Sequence, residues 1–138
     1  IRCQRKDWVH PRARSIEPEL NDFLNLLMEK TKDLDGVLLE NKGLSGSVHY
    51  RCTPGEQRRK LRNLVFKEIE KHSRSLRLVP GKKVLDVRPR VPWDKGRAII
   101  KYMSCLGIRE PILKVYIGDD QTDEECHHHT HEEINRNV

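Results

Sequence analysis

Val37-Leu38-Leu39-Glu40-Asn41-Lys42-Gly43-Leu44-Ser45-Gly46-Ser47-Val48-His49-Tyr50-Arg51 reads as strand, turn, strand. Val37 and Leu39 alternate with Leu38 and Glu40, Asn41-Lys42-Gly43 supplies turn chemistry, and Ser47 to Arg51 alternates again, the period-two pattern of half-buried strands. In the second strand Val48 and Tyr50 share one face, and Ser47, His49 and Arg51 share the other. Pro54-Gly55 ends the unit. Before it, Leu20, Phe23, Leu24, Leu27 and Met28 fall at i, i+3, i+4, i+7 and i+8, which predicts an amphipathic helix over 17–33, with Ser15 as cap and Pro18 in the first turn. After it, Leu61, Leu64, Val65, Ile69 and His72 predict a second helix over 56–72. Two short strands follow, 76–79 and 83–87, joined through Pro80-Gly81. The order helix, strand, strand, helix, strand, strand is an α+β layer whose two helices cover one sheet face.

Past Pro89 and Pro92 the pattern changes. Residues 94–106 form a third predicted helix, with Ile99, Tyr102, Met103 and Leu106 spaced for a core and Gly107 as its stop. Ile112 to Ile117 is then almost continuously apolar, as in a strand buried on both faces of a parallel sheet. It ends in Gly118-Asp119-Asp120-Gln121-Thr122-Asp123-Glu124, where Thr122 can cap a final helix. One helix, one buried strand and one helix cannot cover a parallel sheet, so the sequence reads as an α+β unit joined to part of an α/β unit whose other strands come from elsewhere.

Composition narrows the classes. The chain has 138 residues, 36% hydrophobic and 35% charged, with 27 Lys+Arg against 21 Asp+Glu for a formal charge of +6. From Asp119 onward there are seven acids and one base, so that end carries −6 and residues 1–118 carry +12. A basic body with an acidic end favours an anionic ligand and a cation held at the acids. No apolar run approaches the roughly 20 residues of a membrane span, and the N-terminus has no signal-peptide pattern, so no membrane partner is expected. The missing initiator Met reads as a fragment. Cys3, Cys52, Cys105 and Cys126 show no CxxC spacing, which suggests reduced thiols in a cytoplasmic protein. Arg58-Arg59-Lys60-Leu61-Arg62 flanks apolar helix positions without aromatic interleaving, so it reads as the wet face of a helix, and no nucleic-acid partner is expected. His127 and His131 stand at i, i+4, a spacing able to take Zn²⁺ or Ni²⁺ adventitiously, but they read as a solvated terminus.

Three constellations carry chemistry. Asp119 and Asp120 stand just past the end of a buried strand, with Asp123 in the next helical turn. There, clustered oxygens suit Mg²⁺, and the same acids also suit a helix N-terminus. Lys95, in Pro92-Trp93-Asp94-Lys95-Gly96, opens the third helix and can neutralise a phosphoryl group or a carboxylate nucleophile. Glu40 and Lys42 on one strand and its turn, with His49 and Arg51 on the next, can read sugar hydroxyls. By pattern alone they are the polar outer face of a sheet whose other face is core.

Val115 to Glu125 (VYIGDDQTDEE), VRPRVPWDKGRAI around Lys95, and LENKGLSGSVHYR from Leu39 resemble, in order and spacing, the trehalose-6-phosphate phosphatases of the haloacid-dehalogenase superfamily. The resemblance runs from Trp8 to Glu125. It implies an α/β chain: a remnant of core or linker at 1–15, an α+β cap domain at 16–88, and the C-terminal part of a Rossmann-like phosphatase core at 89–138. It further implies Mg²⁺-dependent hydrolysis of trehalose 6-phosphate, a hydrolase of trehalose biosynthesis. Asp119 would be the Mg²⁺ ligand supported by Asp120 and Asp123, Lys95 would orient the nucleophile, and Glu40, Lys42, His49, Arg51 and Asp86 would line the sugar site. The family often carries Glu where this chain has Asp86. A trehalose-phosphate synthase domain or subunit is the further partner it implies.

Such enzymes attack phosphorus with an Asp in a DxDGT motif that follows an apolar strand. Asp33-Leu34-Asp35-Gly36 nearly spells that motif, but it follows the end of an amphipathic helix, so it reads as a helix-to-strand turn. The chain alone is therefore expected to be inactive. The alternative is a non-catalytic sugar-phosphate-binding module, or the inactive phosphatase half of a bifunctional synthase–phosphatase.

Overall fold

The computed structural model of the chain describes residues 2–3 and 6–108. A short antiparallel pair, β1 (Arg2–Cys3) and β2 (Lys6–Asp7), precedes helix α1 (Pro11–Thr31). Then come β3 (Leu38–Asn41), β4 (Gly46–His49), α2 (Gly55–Glu70), β5 (Leu76–Gly81), β6 (Val84–Pro89) and α3 (Lys95–Cys105). From α1 to α3 this is the predicted order; β1 and β2 were not expected, and the strand expected at 112–117 and the final helix lie outside the described residues. The start of α1 is not where the apolar periodicity placed it. His10 caps the helix, its Nδ1 accepting from the Arg12 N–H at 3.2 Å, and Pro11 occupies the first helical turn, where a missing N–H costs nothing. Ser15, the expected cap, lies inside the helix and donates its hydroxyl back to Arg12 O at 2.9 Å. Pro18 also lies inside, with buried Ile16 and Leu20 on either side of it.

The four strands β3–β6 form one antiparallel sheet in the order β3-β4-β6-β5. Leu39 pairs with Val48 and Val48 with Leu85, which sends these three side chains to one face. That face meets both helices. Leu20, Phe23, Leu24 and Leu27 of α1 and Leu61, Val65 and Ile69 of α2 form one buried cluster with Val48, Tyr50, Leu76, Leu85 and Val87. The approach is close at Gly46, where a Cβ would meet the Leu24 side chain at 2.5 Å. Across the helix layer, the buried Glu68 of α2 takes Lys30 of α1 at 2.7 Å.

The turn between α1 and β3 holds Asp33-Leu34-Asp35-Gly36. Asp33 and Asp35 are exposed, and Gln57 of α2 holds Asp35 from two sides, accepting from its N–H at 2.9 Å and donating to its carboxylate at 3.2 Å. The quartet thus makes the expected helix-to-strand connection.

The chain divides into two compact units, His10–Val91 and a second made of Ile1–Val9 with Pro92–Val138. The first is wider than the 16–88 expected, because α1 reaches back to Pro11 and Val91 packs on the core. In the second, Trp8 and Trp93 pack at 4.8 Å between ring centroids, and Lys101 of α3 lies 5.4 Å over the Trp8 ring. Asp94 caps α3 by accepting from the Arg97 N–H at 2.8 Å, and Gly107 follows its end at φ +70°. The apolar stripe of α3 is only partly covered: Tyr102 and Leu106 are exposed, and Gly96 is its one buried residue.

Candidate functional site

The register builds a polar row across the outward face of the sheet. Glu40 is opposite Ser47, and Ser47 is opposite Asp86, so the three side chains emerge side by side. His49 stands two residues past Ser47, and Arg88 two past Asp86, on the same face. Lys42 reaches this row from the turn. The Gly43 N–H donates to Asn41 Oδ1 at 2.8 Å, Gly43 takes φ +80°, and the Asn41 amide anchors on Asn21 of α1 at 2.8 Å. Held in that way, the Lys42 ammonium donates to Ser47 Oγ at 2.9 Å and lies 3.3 Å from Glu40 Oε2.

The remaining links close a network. His49 Nε2 is 3.2 Å from Glu40 Oε2, the Ser47 hydroxyl donates to Asp86 Oδ1 at 2.6 Å, and Arg88 donates to Asp86 Oδ2 at 2.9 Å. Ser47 is buried, Asp86 is partly covered, and Glu40, Lys42 and His49 are about half open to solvent. Hydrogen bonding to His49, with help from Lys42, holds the Glu40 carboxyl below its ordinary range. Burial works against ionisation of Asp86, but the Ser47 hydroxyl and Arg88 outweigh it and keep that carboxyl low as well. Both groups are therefore acceptors at neutral pH, beside an ammonium, an imidazole and a hydroxyl. An alternation of acceptors and donors on a half-open face is what a polyhydroxyl ligand needs, since each hydroxyl both donates and accepts.

The structure thus brings together Glu40, Lys42, His49 and Asp86 of the expected sugar-binding residues. It does not bring Arg51 to them. The strand ends at His49, and the Tyr50 N–H turns to Lys83 O at 3.1 Å. Arg51 then stands exposed in the bend before α2, its carbonyl taken by Arg58 at 3.1 Å. Two members of the network escaped sequence reasoning. Ser47 was placed on the correct face but not in the site, and Arg88 was not singled out. The signal for Arg88 is its spacing two residues after Asp86 in a strand. Lys95 is the first residue of α3, exposed, in the other unit. Asp119, Asp120, Asp123 and the His127–His131 cluster lie outside the described residues. Among the described residues no three His, Cys, Asp or Glu side chains are grouped to hold a metal ion.

The sequence pattern of the family described as Trehalose-phosphatase matches residues 2–138. The chain belongs to the trehalose-phosphatase family. Among trehalose-phosphatase relatives it is 38% identical over 116 residues to a probable trehalose-phosphate phosphatase 4 of Oryza sativa subsp. japonica, a match covering 83% of this chain and 31% of that protein. It is likewise 38% identical over 116 residues to trehalose-phosphate phosphatase B of Arabidopsis thaliana, again across 83% of this chain and 31% of the relative. This trehalose-phosphatase chain therefore spans about a third of the length of the curated relatives it matches. Its fold is shared with the crystal structure of a trehalose-6-phosphate phosphatase related protein (TM-score 0.69, 21% identity, 95% of this chain and 53% of that one). It is shared too with the C-terminal domain of the C. albicans trehalose-6-phosphate phosphatase (TM-score 0.61, 22% identity, 95% and 49%). No helix among the described residues is long and apolar enough to cross a membrane.

Proposed function

We propose that the outward sheet face of unit His10–Val91 is the sugar-binding face of a phosphatase acting on trehalose 6-phosphate, the cap of that enzyme. The observation that carries this reading is the closed network of Glu40, Lys42, Ser47, His49, Asp86 and Arg88 on the solvent face of the sheet. Glu40, Lys42 and His49 are the open members and would meet sugar hydroxyls. Asp86 spends one oxygen on Ser47 and the other on Arg88, so its part is to orient Ser47 and, through it, Lys42. Arg51, exposed past the end of β4, is left to the rim. Lys95 at the start of α3 would offset phosphoryl charge and orient an attacking carboxylate. Three carboxylates within 119–123 are the hard oxygen donors that Mg²⁺ takes, so Asp119, with Asp120 and Asp123, would hold it. When bound, the ion offsets the charge of the phosphate. The free thiols of Cys52 and Cys105 suit a reducing, cytoplasmic setting.

The test is calorimetric titration of the 138-residue chain with trehalose 6-phosphate. Glu40→Gln and Lys42→Gln should each weaken binding by about tenfold or more, the effect of losing a charge-assisted hydrogen bond. Affinity unchanged in both variants would remove the sugar-face assignment. The chain by itself should release no phosphate, because the sequence offers no DxDGT after a buried strand. Turnover that Asp33→Ala abolishes would move the nucleophile to the α1–β3 turn.

A further inference from the structure

A second cleft lies on the helix side of the same unit, between the first turns of α2 and the two-residue turn that joins β5 to β6. We propose that it binds a small anion carrying two or more linked phosphoryl groups. The cleft has a volume of about 620 Å³, and Arg58, Arg59 and Arg62 of α2 face Lys82 and Lys83 of the turn across it. That volume is in the range of small-ligand sites. No acidic residue lines it, and among the described residues no carboxylate pairs with any of these five cations. Five like charges around one cavity repel one another unless an anion enters. One phosphoryl group neutralises at most two of them, hence the assignment to a linked series.

The cations are also organised. Arg58 is pinned by donation to Thr53 O at 2.8 Å and Arg51 O at 3.1 Å, which fixes its guanidinium in the wall. Lys83 sits at φ +65°, the only non-glycine residue of positive φ among the described residues. Glycine or asparagine would take that turn position with less strain, yet the chain places a long cation there. Arginine forks grip phosphate oxygens in pairs, and lysine supplies point charge, so the set matches phosphate chemistry in kind as well as in sign. An extended nucleic acid would need several aromatic platforms along a basic stripe. The cleft offers the half-exposed Phe66 ring and one open, bounded hollow instead.

This inference does not rest on the sugar-face reading, since the cleft and that face share no residue. The experiment is calorimetric titration of the full chain with inorganic tripolyphosphate and, separately, with ATP, both free of metal. One saturable site is expected, weakened at least tenfold in Arg59→Gln/Arg62→Gln. Lys83→Gly should weaken it severalfold while leaving the thermal midpoint level or higher, because strain is relieved at that turn. Lys42→Gln should leave it unchanged. ATP binding more tightly than tripolyphosphate, with the gap closing in Phe66→Ala, would identify a nucleotide. Equal affinity would show that the phosphate chain alone is read, and either result supports the site. Non-saturating binding, binding untouched by the double variant, or tighter binding of duplex DNA than of tripolyphosphate would overturn it.

Discussion

Ser47 is a small side chain with a large share in the outward face. It accepts from Lys42 and donates to Asp86, so its single hydroxyl couples the Glu40–Lys42–His49 cluster to the Asp86–Arg88 pair. Glu68 plays the matching part among the helices. It is buried, and its two oxygens take Lys30 at 2.7 Å and Lys71 at 2.8 Å. Those bonds, Lys30 first, draw its pKa from 4.5 down to about 2. A carboxyl depressed on folding stabilises the native state above its unfolded pKa and loses that contribution as pH falls through its folded one. Glu68→Gln should therefore lower the urea midpoint at pH 7, and the gap from the parent should close between pH 4.5 and about 2. A gap that stays constant across that range would show that charge is not the source. The Glu40 and Asp86 carboxyls are lowered as well, so their contributions share this sign.

The elements show how short connections hold the layers in place. The α1–β3 turn depends on Gly36, which takes φ +68°, and a Cβ there would meet Cys52 O at 2.4 Å. Both the left-handed backbone and the contact with a fixed carbonyl oppose a side chain. Gly36→Ala should cost about 2–4 kcal/mol in denaturant unfolding, against a few tenths at an open surface position. A loss under 1 kcal/mol would mean that the two turns part easily. Gly43, also at positive φ but with open space around it, makes the internal comparison, since there only the backbone term acts.

Across the molecule, burial is uneven. The apolar cluster runs from Ile16 to Val87, wholly within unit His10–Val91. Among the described residues of the other unit, Gly96 alone is buried. Both tryptophans of the chain, Trp8 and Trp93, belong to that second unit, so intrinsic fluorescence reports on it, while far-UV circular dichroism is dominated by the first. Among the described residues less apolar surface is buried in the second unit, and less buried apolar surface means less stability. The fluorescence transition in urea should come at lower concentration than the circular-dichroism transition. Coincident curves would show that the units unfold as one.

The element order from α1 to α3, the buried faces of α1 and α2 apart from the exposed Met28, and the outward side of the hairpin were legible in the sequence, because periods of 2 and 3.6 residues are local properties of the chain. The core expected under Tyr102 and Leu106 of α3 was not found, since both are exposed. Glu40, Lys42 and His49 could be placed on a common face for the same reason. The start of α1 was missed because a His cap and an N-terminal Pro leave no apolar period. Arg51 was misplaced because a strand's end depends on where the next backbone donor goes, and the Tyr50 N–H goes to Lys83, far along the chain. Ser47 meets Asp86 only through a register set between strands 39 residues apart. The five cations around the second cleft likewise come from a helix and a distant turn. What the sequence determined by itself was the family, the layer and the polarity of each face, which follow from nearest neighbours in the chain. Which charges meet was decided only by the tertiary structure, because pairing register and helix packing join residues that no local pattern connects.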